Sequence, residues 1–172
     1  MPNILLLQAQ KITFANNIES EFEQQLVLEL SCNSAKVRIN DPVAFDVKLI
    51  NKGKERLTVK NNLEWGYWTG LILVVKDVTG EQIPSEVFLS YHPPPSLNSS
   101  SYISLFPNHY LGATLWEPAL DFFKKPGKYF VFAVYLNYDS ESDTEEYFGI
   151  KNLWGRERNP IESPAIFVEV TG

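Results

Sequence analysis

One cysteine, Cys32, and two histidines, His92 and His109, are all that this 172-residue chain offers of the residues that most often ligate metals or act as nucleophile and base. A lone thiol cannot close an internal disulfide, so the fold is expected to rest on packing alone, which favours the cytoplasm over secretion. The histidines stand far apart, each beside prolines or turn residues. They do not form the pair, four apart with a glutamate between, that a metallohydrolase helix requires. No serine or cysteine sits in a glycine-flanked nucleophile turn, so no catalytic residue, no metal ligand set and no cofactor is expected. Basic residues are also few, 15 against 21 acidic ones for a net charge of -6, and they are scattered. This balance argues against nucleic acid or an anionic membrane as partner, since both attract a basic stripe. Long apolar runs are missing too. The opening MPNILLLQAQ is too brief for a transmembrane helix and lacks the basic start of a signal peptide, and a truncated precursor stays open. Sustained 3.6-residue periodicity is absent, which removes helix bundles.

What remains is a chain rich in β formers, aromatic residues and turns, with 11 prolines dividing it into short segments. Its length suits one core, and a single domain over 1–172 is expected, with 1–24 as an N-terminal covering segment and 139–164 as a loop insertion. The organising stretch is PGKYFVFAVYLNY, from Pro126 to Tyr138. A period of two places Tyr129, Val131, Ala133 and Tyr135 on one face and Phe130, Phe132, Val134 and Leu136 on the other. The first set is expected to face the main core. The second is equally apolar, so it is expected to be covered by another part of the chain, by a second sheet or by a partner, with Ile4 to Leu7 and Ile12 to Phe14 as candidate covers.

Along the chain, strands are expected over 25–32, at Val37 and Ile39, and over 43–50, where Val43, Phe45, Val47 and Leu49 alternate with Ala44, Asp46 and Lys48. A glycine-closed loop then suggests a hairpin with Leu57 and Val59. Leu71 to Val75 reads as a buried strand, with Glu81 to Tyr91 returning antiparallel to it. HPPPSLNSSS reads as an exposed loop, and its Asn98-Ser99-Ser100 fits a glycosylation acceptor that matters only in a secreted eukaryotic protein. Ile103 with Leu105, and Tyr110 to Trp116, suggest two further strands. Glu117 to Lys125 suits a short helical crossover, DSESDTEE an acidic hairpin tip or loop, and Ile166, Val168 and Val170 a last strand. The sum is an all-β, antiparallel sandwich.

The run LFPNHYLGATLWEPALDFFKKPGKYFVFAVY resembles the second half of many immunoglobulin-like sandwiches. Leu105, Pro107, Leu120, Pro126, Gly127, Tyr129 and Val131 hold the places of the turn, crossover and "Pro-Gly-x-Tyr-x-Val" strand, and VAFDVKLINKGKERLTV looks like the family's first hairpin. The order of pieces also resembles the non-catalytic N-terminal domain of lysine-specific metallopeptidases and, more distantly, small bacterial proteinase-inhibitor domains. The resemblance implies an immunoglobulin-like β-sandwich with one short helical crossover and a late loop insertion, and it puts Tyr129 at a tyrosine corner. Asn108 replaces the usual glycine of the first turn and so needs a left-handed backbone. The cysteine pair of antibody-type domains is absent.

Candidate binding residues are Trp65, Tyr67, Trp68 and Trp154, because flat rings bury area at little entropic cost, although a tryptophan is more often core. Asp139, Glu141, Asp143 and Glu145 supply carboxylates at every second position. Without the glycine of a calcium loop, a solvated tip is the ordinary reading. The expected role is a binding or protein-interaction module acting on an unknown protein partner or by self-association. A proteinase inhibitor or prodomain-like partner, and a carbohydrate-binding module, are the alternatives.

Overall fold

Alternating side chains build the first layer. In the computed structural model, which describes residues 25–65, 70–84 and 97–172, β1 (Leu26–Cys32), β3 (Pro42–Asn51) and β8 (Tyr110–Pro118) form an antiparallel sheet in the order β1-β3-β8. Val43, Phe45, Val47 and Leu49 all point inward and are fully buried, as the period of two requires.

The second layer runs β2 (Lys36–Arg38), β11 (Ile166–Thr171), β9 (Gly127–Tyr135), β5 (Leu71–Asp77) and β6 (Gln82–Ile83), with β10 (Ile161–Glu162) also on β9. All pairs are antiparallel except β2 with β11. The strand from Pro126 onward is therefore central. Tyr129, Val131, Ala133 and Tyr135 are buried in the inter-sheet core, facing inward as expected. The layers match the immunoglobulin arrangement, with β1, β3 and β8 against β5, β9 and β11. This is an immunoglobulin-like sandwich.

Two local devices hold the crossover from β8 to β9. Helix α1 (Ala119–Phe122) buries Phe122 among Phe45 and Phe123 in edge-on contacts. The Tyr129 hydroxyl donates to the Lys125 carbonyl at 2.7 Å, which is the tyrosine corner, and its ring packs on Phe123 with centroids 5.0 Å apart. In the turn from Phe106 to His109, Pro107 is followed by Asn108 at φ 62, the left-handed backbone that its place required.

Two expectations are corrected. The hairpin between 43–50 and 57–59 does not form. Both edges of β3 are taken by β1 and β8, and β4 (Leu57–Lys60) pairs with β7 (Tyr102–Leu105) in a small separate sheet. The side chain of Asn51 turns the chain away, donating to Glu55 O at 2.7 Å and Leu105 O at 2.8 Å and accepting from Gly53 N at 2.9 Å. The acidic tip is instead helix α2 (Glu141–Phe148), with Glu141 and Asp143 in its first turn and Gly149 closing it at φ 68. Carboxylates near a helix start are favoured by its dipole, and a left-handed glycine satisfies the last carbonyls.

Among the described residues, the outer face of the central strand is covered only in part. Phe130 is 44% exposed and Phe132 is half-buried, while Val134 is buried. The proposed covers, Ile4 to Leu7 and Ile12 to Phe14, lie outside the described residues, as does the return of Glu81 to Tyr91 beyond Pro84.

Candidate functional site

Pairing across β11, β9 and β5 sets the geometry of the outer face. Phe167 stands opposite Phe130, Lys76 is also opposite Phe130, Val74 is opposite Phe132, and Ile72 is opposite Val134. Antiparallel partners share a face, so these side chains, Lys76 apart, form one apolar surface. Phe130 and Phe167 meet edge-on at 5.9 Å, and each is 44% exposed. The Lys76 ammonium lies 5.2 Å from the Phe132 ring centre. Charges border the aromatic rows. Lys128 pairs with Glu169, Glu169 holds Lys36 at 3.3 Å, and Glu162 stands beside Val134.

The sequence marks Phe130 and Phe132 but not Phe167. The signal for it is the unbroken apolar run Ile166-Phe167-Val168, where a half-exposed strand would alternate. Ile166 and Val168 face the core side, which leaves Phe167 outward.

Of the four residues singled out as an aromatic platform, Tyr67 and Trp68 lie outside the described residues. Trp65 is half-buried and its ring meets Phe45 and Phe122, each at 6.3 Å, at one end of the inter-sheet core. Its Nε1 is buried with no hydrogen-bond partner among the described residues. Trp154 is half-buried, with the Arg158 guanidinium 5.6 Å from its ring centre, and its backbone amide donates to Thr58 O at 2.8 Å.

That contact belongs to a dock holding 137–154 against β4. Thr58 Oγ1 donates to Lys151 O at 2.8 Å and Asn137 Nδ2 to Trp154 O at 3.0 Å. At its centre the nearly buried Lys60 ammonium meets Asp139 Oδ2 at 3.2 Å, and the Tyr102 hydroxyl donates to the same oxygen at 2.9 Å. Burial and then the Asp139 carboxylate push the Tyr102 phenol up to about 12. The carboxylates that alternate in sequence are therefore dispersed. Asp139 points to Lys60, Asp143 to Arg156 at 3.9 Å, and Glu145 to Lys151 at 3.3 Å. Cys32 is half-buried at the end of β1, and burial raises its thiol, which suits a small packing residue better than a nucleophile.

No family model matches the chain, and no curated protein matches it. Among solved structures it is similar to the CARDB domain of a Pyrococcus furiosus protein in complex with di-metal ions, with 15% identity, a TM-score of 0.38, and 85% of this chain and 87% of that one covered. It is also similar to the C-terminal domain of Wzt (11% identity, TM-score 0.43, 86% and 74% covered). A further match is a β-glucosidase from Listeria innocua in complex with glucose, at 14% identity and TM-score 0.37, covering 86% of this chain and 16% of that one. The metals and the sugar in those structures belong to those proteins.

Proposed function

We propose that this chain is a non-catalytic immunoglobulin-like module that works by protein contact, and that its docking surface is the outer face of β11, β9 and β5. The observation that carries the reading is the exposed pair Phe130 and Phe167 at the centre of a sheet, continuous with Phe132, Val74 and Ile72. Scattered apolar residues on a surface are ordinary, whereas a contiguous aromatic patch rimmed by charge is what protein interfaces are built from. Burying the open half of both rings contributes on the order of 2 kcal/mol, so the rim of Lys76, Lys128, Glu162 and Glu169 serves to orient the partner.

A photo-crosslinking phenylalanine analogue at position 130 or 167, in the full chain expressed in its source cells, tests this. Discrete crosslinked products are expected at both positions. The same analogue at Tyr147, 73% exposed on α2, is expected to give none. No product at 130 and 167, or the same bands from position 147, would overturn the reading.

A further inference from the structure

The opposite layer carries a second surface. Strand β8 is nine residues long and pairs without interruption with β3, from Pro42 with Pro118 to Ile50 with Tyr110. Among the described residues nothing pairs with its other side. Exposed edges are usually blunted by lysine, an internal proline or a bulge. Here the strand reads YLGATLWEP, with no lysine, its only proline at the end, and unbroken register.

Burial shows that the core itself is open along this edge. Leu111, Ala113 and Leu115 are only half-buried, although the residues they pair with, Leu49, Val47 and Phe45, are fully buried. On the other face Tyr110 and Trp116 are each 61% exposed.

The occupant is written in the order of the residues. From Tyr110 to Trp116 the strand is a palindrome in chemistry about Ala113: aromatic, leucine, small, alanine, small, leucine, aromatic. Antiparallel pairing of a strand with itself sets residues at equal distances from the centre opposite one another, on the same face. Centred on Ala113, such a pair brings Tyr110 against Trp116 twice, Leu111 against Leu115 twice, and Gly112 against Thr114 twice. A foreign peptide needs no such symmetry, whereas an interface between identical copies is self-complementary by construction. We infer that β8 is the site of self-association, where a second copy of this chain adds its own β8 antiparallel, centred on Ala113, to join two three-stranded sheets into one of six. This inference is independent of the aromatic face on the other layer.

Sedimentation equilibrium of the full chain is expected to show a mass rising with concentration from 19.7 kDa towards twice that value. The Y110K/W116K variant sets like charges opposite each other twice and is expected to weaken the dimer by about tenfold or more. Y110K/W116E changes the same two exposed positions but makes the opposed charges complementary, and it is expected to restore the dimer. It also controls for damage to the fold, with circular dichroism confirming that both variants keep the β signature. An A113C change in a C32S background is expected to crosslink on mild oxidation, since opposed Cα atoms lie about 4.5–5.5 Å apart, within disulfide reach. A chain that stays monomeric at every concentration would overturn the inference and leave the edge to another segment or a foreign peptide. A dimer indifferent to Y110K/W116K, or lost equally in Y110K/W116E, would overturn it as well, as would a dimer that A113C fails to trap.

Discussion

At the scale of single residues, two side chains hold more of the fold together than their size suggests. Asn51 is fully buried, and its amide joins the end of β3, the following loop and β7 through three hydrogen bonds, while its backbone receives the turn at Asn108 and His109. Asn51→Ala removes all three bonds and leaves the buried Leu105 carbonyl without this donor, and the expected loss is about 2 kcal/mol in urea unfolding. A loss under about 0.5 kcal/mol, the level of a surface site, would mean that the loop re-forms without it. Tyr129 divides its role between ring and hydroxyl. Tyr129→Phe removes only the bond to Lys125 and is expected to cost about 1 kcal/mol, whereas Tyr129→Ala also leaves a cavity and is expected to cost on the order of 3 kcal/mol or more. Equal losses in the two variants would refute that division. Tyr129 was legible in the sequence because Pro126 and Gly127 announce the strand that contains it. Asn51 was not, because an asparagine before a Lys-Gly pair looks the same whether it closes a loop or anchors one.

At the scale of elements, whatever carries strict alternation can be read from the chain. The strand over 43–50 and the inward face of β9 follow directly from the period of two, and the crossover helix follows from Leu120, Phe122 and Phe123 before a Pro-Gly stop. Partnership is not local, so the pairing of β4 with β7 had no signature in either strand. Helix α2 was hidden for a different reason. Its acidic residues were read at a spacing of two, while the features that define it are carboxylates in the first turn and a glycine at its end. That glycine gives a direct test. Gly149 lies at φ 68 in open space, so Gly149→Ala is expected to cost about 1 kcal/mol through backbone strain alone, and Gly149→Asn markedly less. Thermal melts compare the two, and identical melting points would mean that α2 does not end on this cap. In the candidate site, Phe130 and Phe132 were visible as a second apolar row. Phe167 emerged only when the register across β11 was known.

At the scale of the whole molecule, three tyrosines make the fold sensitive to alkali. Burial raises the phenols of Tyr102, Tyr129 and Tyr135, that of Tyr102 to about 12. In the unfolded chain these groups ionise near the ordinary value of 10.0. The folded state holds its protons longer, so stability is full below about pH 10 and falls as pH rises through that value towards 12. Tyr102→Phe removes one contributor, and urea titrations across this window are expected to show a shallower decline than in the unaltered chain. An unchanged slope would place the loss elsewhere.

The parallel pairing of β2 with β11 has a consequence for how the molecule is made. Val37 accepts from Thr171, 134 positions further along, and Ala35 from Glu169. The two strands stand far apart in sequence, so a folding chain can pair β5 with β9 while that middle strand still lacks its β11 flank. Closure waits for residues 166–171 and demands one of the longest loop closures in the chain. Until they dock, β9 offers an unpaired edge, the kind of surface through which partly folded chains misassemble.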